Sequence, residues 1–373
     1  MPTNIAAWLN ARNGQLEVGP APYTPPADDQ IVIRGRAVAV NPVDWIIQLA
    51  GSFAYRWLKY PTVLGSDVAG EVVEVGRAVT RFQVGDRVLG QAVGTDKDTT
   101  SAAEGTFQHY VVVLERLAAP IPDTMPFEDA AVLPLAVSTA ACALFQQDQL
   151  ALRHPTADPA PTGQTLLVWG GSTSVGSNAV QLAVAAGYEV IATASPRNFA
   201  YVKSLGAAQV FDYRSPTVVA DLIEAARGRT LAGAIAIGTT SAAACVTIVA
   251  ASKGRKFVAI ASTPVSFDSL AEDDRGRLHR PALLLRLVGA TAAQQVRARR
   301  LGVGTKFVFG TTLKANEVST AIYRDFLPAA LAHGRYVAAP RPTVVGTGVE
   351  DLQKALDIQR TGVSAAKVVV TLP

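Results

Sequence analysis

A chain of 373 residues exceeds what one hydrophobic core usually supports, so two domains are expected. Hydrophobic residues at 49% with aromatics at only 7% exclude a disordered polymer and suit interiors built from Ala, Val, Leu and Ile. The 34 basic and 30 acidic side chains leave a net charge of +4, too small to demand a nucleic-acid partner.

The N-terminal "MPTNIAAWLNARNG" lacks the basic start and apolar run of a secretory signal. Up to about residue 120, "QIVIRGRAVAVN", "DVAGEVVEVG", "GDRVLG" and "GTFQHYVVV" read as short Val-rich strands cut by Gly and Asp, a β-rich module. Cys142 and Cys245 sit in Ala-rich helical pattern and cannot build a disulfide framework. They read as small buried hydrophobes, which points to a reducing, cytoplasmic setting. The Pro-rich "RHPTADPAPTG" at 153–163 reads as a surface loop.

From Gly163 strands and helices alternate: "TLLVWG", a helix from Val175, "EVIATAS", a helix around "FAYVKSLG", "AQVFDY", "TVVADLIEAARG", "AGAIAIG", a further helix and "KFVAIAS". Such alternation implies a parallel sheet covered by helices on both faces. The uncharged stretch 231–251 is long enough to raise a membrane question, but its Gly-Thr-Thr-Ser centre divides it into a buried strand and an amphipathic helix. No membrane association is expected. Residues 262–304 are less regular and carry a basic cluster from Asp273 to Arg300, either a solvated helix face or a surface for an anionic ligand or acidic carrier. "KFVFGTTL" at 306–313 reads as a strand. After it come a helix closed by Gly334, the segment "VEDLQKALDIQRTG" and a last strand "AKVVVTL" that returns to the first module.

The chemistry concentrates in "LVWGGSTSVGSNAVQL", residues 167–182. A strand that ends in small residues and leads into a helix offers unpaired N–H groups to a phosphate, and small residues let a pyrophosphate approach. Gly170, Gly171 and Gly176 fit this pattern, with Ser172, Thr173 and Ser174 able to add hydroxyl donors, although Thr173 and Ser174 stand where a G-x-G-x-x-G motif would favour glycine. A tight turn without a ligand is the alternative. The nucleophile elbow G-x-S-x-G fails, because Ser174 stands where its last glycine belongs. After the second strand, where an NAD site places an acid on the adenosine ribose, "TASPRNFAYVKSLGA" has none from Thr193 to Lys203. Ser195, Arg197, Asn198 and Lys203 suit a 2′-phosphate instead, and Tyr213 in "FDYR" can close the site. The bland alternatives are a helix cap at Ser195 and exposed charges at Arg197 and Lys203. NADPH is the expected cofactor.

With "NPVDW", "LGSDVAGEVVEVG", "FQVGDRVLG", "GTFQHY", "AAVLPLAVSTA", "GGSTSVGSNAVQLA" and "GVSAAKVVVTL" in order, the chain resembles the medium-chain dehydrogenase/reductase superfamily from its first strand to its last. Within it, "SPRNF" and "VFDYRSP" resemble the zinc-independent branch of quinone oxidoreductases and fungal trans-acting enoyl reductases. The resemblance implies an α/β protein: a GroES-like catalytic domain from 1–133 completed by 313–373, a Rossmann domain of doubly wound parallel sheet from 134–312, and the cofactor in the cleft between them. It places Ser172, Thr173, Ser174, Val175, Ser195, Arg197, Asn198 and Tyr213 at the phosphates and adenosine, Ile260, Ala261, Val308, Ser364 and Ala365 along the nicotinamide half, and Asp44 and Thr139 beside the reacting ring.

No metal is expected: His109, His154, His279 and His333 are scattered, none pairs with a cysteine, and Gly65, Ser66 and Asp67 stand where zinc relatives carry a ligand histidine. Without a Lewis acid, reduction of an activated C=C bond is the first expectation, in an enone, enal or enoyl thioester. Thr139 or a backbone N–H would stabilise the oxyanion, and water or a tyrosine, with Tyr55 the candidate, would protonate the α-carbon. Tyr55, Trp45 and Trp57 serve equally well as pocket walls or core packing. A quinone oxidoreductase and an NADPH-binding module without catalysis remain the alternatives. The enoyl reductases that this chain resembles commonly carry a lysine where it has Ile46, which cannot donate a proton. Partners would be a small conjugated carbonyl or quinone, with an acyl carrier or CoA thioester as a possible donor of substrate, and the protein a monomer or homodimer.

Overall fold

In a computed structural model that describes residues 2–267 and 276–373, the chain divides into two compact units, Met1–Leu135 with Leu313–Pro373, and Ala136–Thr312. The first unit begins with β1 (Asn4–Leu9), β2 (Leu16–Ala21), β3 (Gln30–Ala39), helix α1 (Pro42–Ala54), β4 (Thr62–Val63), β5 (Asp67–Val75), β6 (Arg87–Gln91), β7 (Tyr110–Leu114), β8 (Ala118–Pro120) and the short α2 (Phe127–Ala130). The sequence places "GTFQHYVVV" in one strand, but only Tyr110–Leu114 joins the ladder; ahead of it Gln108 makes an isolated bridge to Ala6.

Helix α3 (Pro134–Phe145) leads into the second unit, which alternates β9 (Gln164–Trp169), α4 (Ser174–Ala185), β10 (Glu189–Ala194), α5 (Phe199–Ser204), β11 (Gln209–Asp212), α6 (Val218–Ala225), β12 (Thr230–Ala236), α7 (Ser241–Ala251), β13 (Lys253–Gly254), β14 (Phe257–Ile260), α8 (Gly276–Arg300) and β15 (Gly304–Phe307). All its strands are parallel, in the order β11-β10-β9-β12-β14-β15, with β13 beside β12. This is the expected Rossmann sheet. Leu167, Trp169, Ile191, Ala234 and Val258 pack on Leu222, Val246 and Val249 of α6 and α7. Alternation turns Leu166 and Val168 to the opposite face, and α4 packs against β9 and β10. Sheets covered on both faces need near-continuous apolar strands, which "TLLVW" and "EVIATA" supply.

The 231–251 stretch is a strand and a helix, as its composition suggests, but α7 is apolar nearly all round, its outward positions being small residues such as Ala243 and Ala251. Where the sequence looks irregular, Gly276–Arg300 is one 25-residue helix. Asp273, Asp274 and Arg275 of the basic cluster lie outside the described residues. The "KFVFGTTL" strand stops at Phe307 because its partner β14 gives out at Ile260, and residues 310–315 form a 3-10 turn.

The chain then returns to the first unit through α9 (Glu317–Ser319), a π-helical stretch Thr320–Phe326, α10 (Leu327–Ala332), β16 (Arg341–Thr347), α11 (Leu352–Thr361) and β17 (Ala366–Thr371). The widened stretch lies just ahead of Pro328, which has no N–H to donate back along the helix. One sheet of this unit has the order β16-β17-β3-β5-β6-β8 with β7 on β3, and a smaller one the order β2-β1-β4.

Candidate active site

Each glycine in the β9–α4 turn answers to a specific constraint. Gly170 holds a left-handed φ of 92°, which glycine adopts without penalty. A Cβ on Gly171 would stand 3.0 Å from Ala192 Cβ and 3.0 Å from Val202 Cγ1, and one on Gly176 would meet the Gly170 carbonyl. The turn is tied to β10 by the Gly170 N–H on Thr193 Oγ1 (3.0 Å) and the Gly171 N–H on Thr193 O (2.8 Å). Thr173 caps α4: its Oγ1 accepts from Gly176 N–H at 3.0 Å and donates to Gly170 O at 2.8 Å. Its hydroxyl is thus engaged within the turn itself. The Ser174 and Val175 amides, in the first turn, precede any acceptor within the helix and sit at its positive end. A cradle whose Cβ positions are already filled by neighbouring atoms, with first-turn amides beyond it, fits a dinucleotide pyrophosphate.

Past β10, Ser195 and Asn198 are buried and Arg197 is exposed on the Pro196–Asn198 turn. Ser195 does not cap that turn with its side chain; its hydroxyl donates to Tyr213 OH at 3.5 Å. Arg214 Nε donates to the same oxygen at 3.2 Å, and its guanidinium carbon lies 5.2 Å from the Tyr213 ring centroid. The hydrogen bond from Ser195, then those from Arg214, hold the phenol below its ordinary pKa. Lys203 is exposed in the last turn of α5. At the strand ends of the same unit, Ala261 N–H bonds Ala236 O and Val308 N–H bonds Ile260 O, each at 2.9 Å. Thr139 is half-buried on α3.

Asp44, Tyr55, Ser364 and Ala365 belong to the other unit. There the structure assembles a buried network. Asp44 Oδ2 accepts from Asn41 N–H at 2.8 Å, where β3 turns into α1. The Asn41 amide donates to Asp67 Oδ2 and accepts from Lys367 Nζ, both at 2.7 Å. Lys367 Nζ also lies 2.7 Å from Asp67 Oδ2, at side-chain exposures of 3% and 0%, and Leu135 N–H donates to Asp67 Oδ1 at 2.6 Å. Burial, reinforced by the nearby Asp67 charge, pushes the Asp44 carboxyl up to about 7, against the pull of the Asn41 and Gly65 amides and the Lys367 ammonium.

Burial and then the charges of Asp44 and Asp96 push the Tyr55 hydroxyl up to about 12. Its ring stands 5.1 Å from that of Trp57, which is exposed and donates to Thr95 O at 3.0 Å. Trp45 is buried with its indole N–H unpartnered, so it belongs to the core rather than to an open wall. Ile46 is half-buried. The buried Gln91 carboxamide, registered beside Asp67, has neither atom hydrogen-bonded. Sequence reasoning overlooked Lys367 and Arg214. The available signal for Lys367 was a charge near the start of the otherwise apolar strand "AKVVVTL".

Two family models match the chain, the alcohol dehydrogenase GroES-like domain over residues 27–123 and the zinc-binding dehydrogenase over residues 174–268. The dehydrogenase pigH of Monascus ruber is 52% identical over the whole of both chains. The chain belongs to the medium-chain dehydrogenase/reductase family. A second member of this family, the trans-enoyl reductase himH of Aspergillus japonicus, is 40% identical over 99% of this chain and 97% of its own. Among solved structures, an alcohol dehydrogenase superfamily protein from Novosphingobium aromaticivorans matches over the full length of both chains with a TM-score of 0.73 and 25% identity. The first unit is thus the family's GroES-like domain and the second its Rossmann domain, and the protein is an oxidoreductase of the nicotinamide-dinucleotide type. Among the described residues of this medium-chain reductase, no three His, Cys, Asp or Glu side chains cluster as a metal site.

Proposed function

We propose that this protein is an NADPH-dependent, zinc-independent reductase of activated C=C bonds in enones, enals or enoyl thioesters. The observation that carries the reading is the Lys367 ammonium seated on Asp67 in the buried network. It makes a fixed organic cation the counter-charge of a carboxylate in the segment where zinc relatives carry a ligand histidine, which supports zinc independence and a carbonyl polarised by hydrogen-bond donors. The full-length likeness to a protein named as a trans-enoyl reductase supports the same reading.

When bound, NADPH would supply hydride to the β-carbon of the acceptor. Charge then develops on the carbonyl oxygen, where the Thr139 hydroxyl is the proposed donor. Tyr55, whose hydroxyl keeps its proton throughout the neutral range, is the proposed acid for the α-carbon. Ser174, Val175, Ser195, Arg197 and Asn198 would hold the phosphates and adenosine. A carrier-bound or CoA thioester would suit helix α8, where Arg286, Arg299 and Arg300 are exposed and no acid occurs from Gly276 to Arg300. Quinone reduction is the second reading, favoured by Ile46, because a quinone's reduced oxygens take protons from solvent without a placed acid.

NADPH oxidation measured with an enone, an enoyl thioester, a quinone and no acceptor, before and after exhaustive chelation, tests the reading. Turnover of the enone or thioester that survives chelation is expected. Loss on chelation with recovery on added zinc refutes zinc independence, and turnover of the quinone alone moves the assignment to the second reading.

A further inference from the structure

Arg214 closes the "FDYR" segment past β11 of the Rossmann unit, a segment in which the sequence gives a role only to Tyr213. The register Ala194↔Asp212 sets Ser195 and Tyr213 just past the C-terminal ends of two adjacent parallel strands, and their hydroxyls touch at 3.5 Å. Arg214 stacks on the outer member of that pair, its guanidinium carbon 5.2 Å from the Tyr213 centroid and its Nε 3.2 Å from the Tyr213 oxygen. Nε is thereby committed, and among the described residues no partner takes the two terminal nitrogens, which can serve another acceptor. The nearest acid in sequence, Asp212, does not take them: its Oδ1 accepts from the Arg214 backbone N–H at 3.0 Å. On the other side Arg197 is two residues past Ser195 and exposed.

Resting on the NADPH reading above, we propose that Arg214, held on Tyr213, is a second guanidinium for the 2′-phosphate of the cofactor and determines its specificity together with Arg197. The chemistry follows from charge and shape. A phosphate monoester carries between one and two negative charges at neutral pH and presents three acceptor oxygens, which suit planar guanidinium forks better than point charges. One guanidinium and a serine hydroxyl satisfy one edge of such a group; a second, approaching from the Tyr213 side, satisfies another. Stacking on the tyrosine ring and the bond through Nε fix the plane of Arg214 in advance, so little rotamer freedom remains to be lost on binding. An unphosphorylated ribose has no charge there and gains nothing from it.

The test compares calorimetric affinities for 2′,5′-ADP, 5′-AMP, NADPH and NADH in the unaltered protein, Arg214→Ala, Arg214→Lys and Tyr213→Phe. Arg214→Ala should weaken 2′,5′-ADP and NADPH by about 10- to 100-fold, the range of one or two charge-assisted bonds, while 5′-AMP and NADH stay within about twofold. Arg214→Lys should recover only part of that loss, because an ammonium cannot make the forked contact. Tyr213→Phe, which keeps the ring but removes the oxygen that orients Nε, should cause a smaller loss confined to the phosphorylated ligands. Equal weakening of all four ligands by Arg214→Ala, or no change in any, overturns the role of Arg214. Equal affinities of the unaltered protein for NADPH and NADH would instead defeat the cofactor reading, a result visible without any substitution.

Discussion

Replacing Lys367 with methionine removes a charge while keeping nearly the same length of side chain, in a place where water cannot take its part. The ammonium stands 2.7 Å from Asp67 Oδ2 and 2.7 Å from Asn41 Oδ1. After the substitution the Asp67 carboxylate keeps only Asn41 Nδ2 and the Leu135 N–H, and must either stay ionised without a counter-charge or take up a proton. Breaking one side of a buried pair costs about 3–5 kcal/mol. In a unit of roughly 200 residues each kcal/mol moves Tm by about 2–4 °C, so a fall of about 6–20 °C is expected. Thermal unfolding followed by circular dichroism at pH 7, on Lys367→Met, Asp67→Asn and the double variant, measures the pair. The double variant should regain most of the loss, since an asparagine at 67 has no charge to strand and can still accept from Leu135. A shift below 2 °C in Lys367→Met, or a double variant as unstable as the sum of its parts, would refute the argument that the ammonium holds this network.

Three further outcomes follow from the same geometry. Asp44 stays protonated in the folded protein up to about 7 but ionises near 4 when unfolded, so its contribution to stability is full below about 4 and lost as pH rises to about 7; Asp44→Asn should flatten that part of the urea-unfolding profile between pH 4.5 and 8, and an unchanged slope would count against the raised carboxyl. Tyr55→Phe should lower kcat on an enoyl thioester by about 10²- to 10⁴-fold while leaving quinone reduction within about threefold, and equal effects in steady-state assays would remove Tyr55 as the acid. Arg299→Ala with Arg300→Ala should raise KM for an acidic CoA thioester several-fold without altering that for a small neutral enone, and identical values for both would make the basic end of α8 plain surface charge.

The Rossmann half was legible because its signals are local. An apolar strand, a glycine turn and a helical period succeed one another within about 30 residues, and each glycine can be read for the conformation it permits. The failures are local patterns overruled at longer range. "KFVFGTTL" has strand composition through residue 313, but a strand extends only as far as its neighbour, and β14 ends at Ile260. Thr173 reads as a ligand hydroxyl because serine and threonine near a phosphate turn can be one, and helix α4 adds a second use of the same oxygen, the capping of its Gly176 amide. Arg214 escaped notice for the opposite reason: an arginine after a tyrosine carries no meaning until Ser195 is known to touch that tyrosine from the next strand.

The buried network shows why catalytic-unit residues are harder to read than a phosphate turn. A lysine second in "AKVVVTL" alternates as an outward residue would, and no acid stands within nine positions of it. Its burial comes from pairing across 326 positions: Val369 lies opposite Ala39 in the antiparallel β17–β3 pair and Val40 N–H bonds Val368 O at 2.9 Å, which carries Lys367 to Asn41 just past the end of β3. On the other side of β3, Ala39 is registered with Asp67, the first residue of β5. Lysine, asparagine and aspartate therefore meet only because β17, β3 and β5 adjoin in that order, so the ion pair is encoded in the sheet's strand order and is absent from every window of sequence shorter than nearly the whole chain.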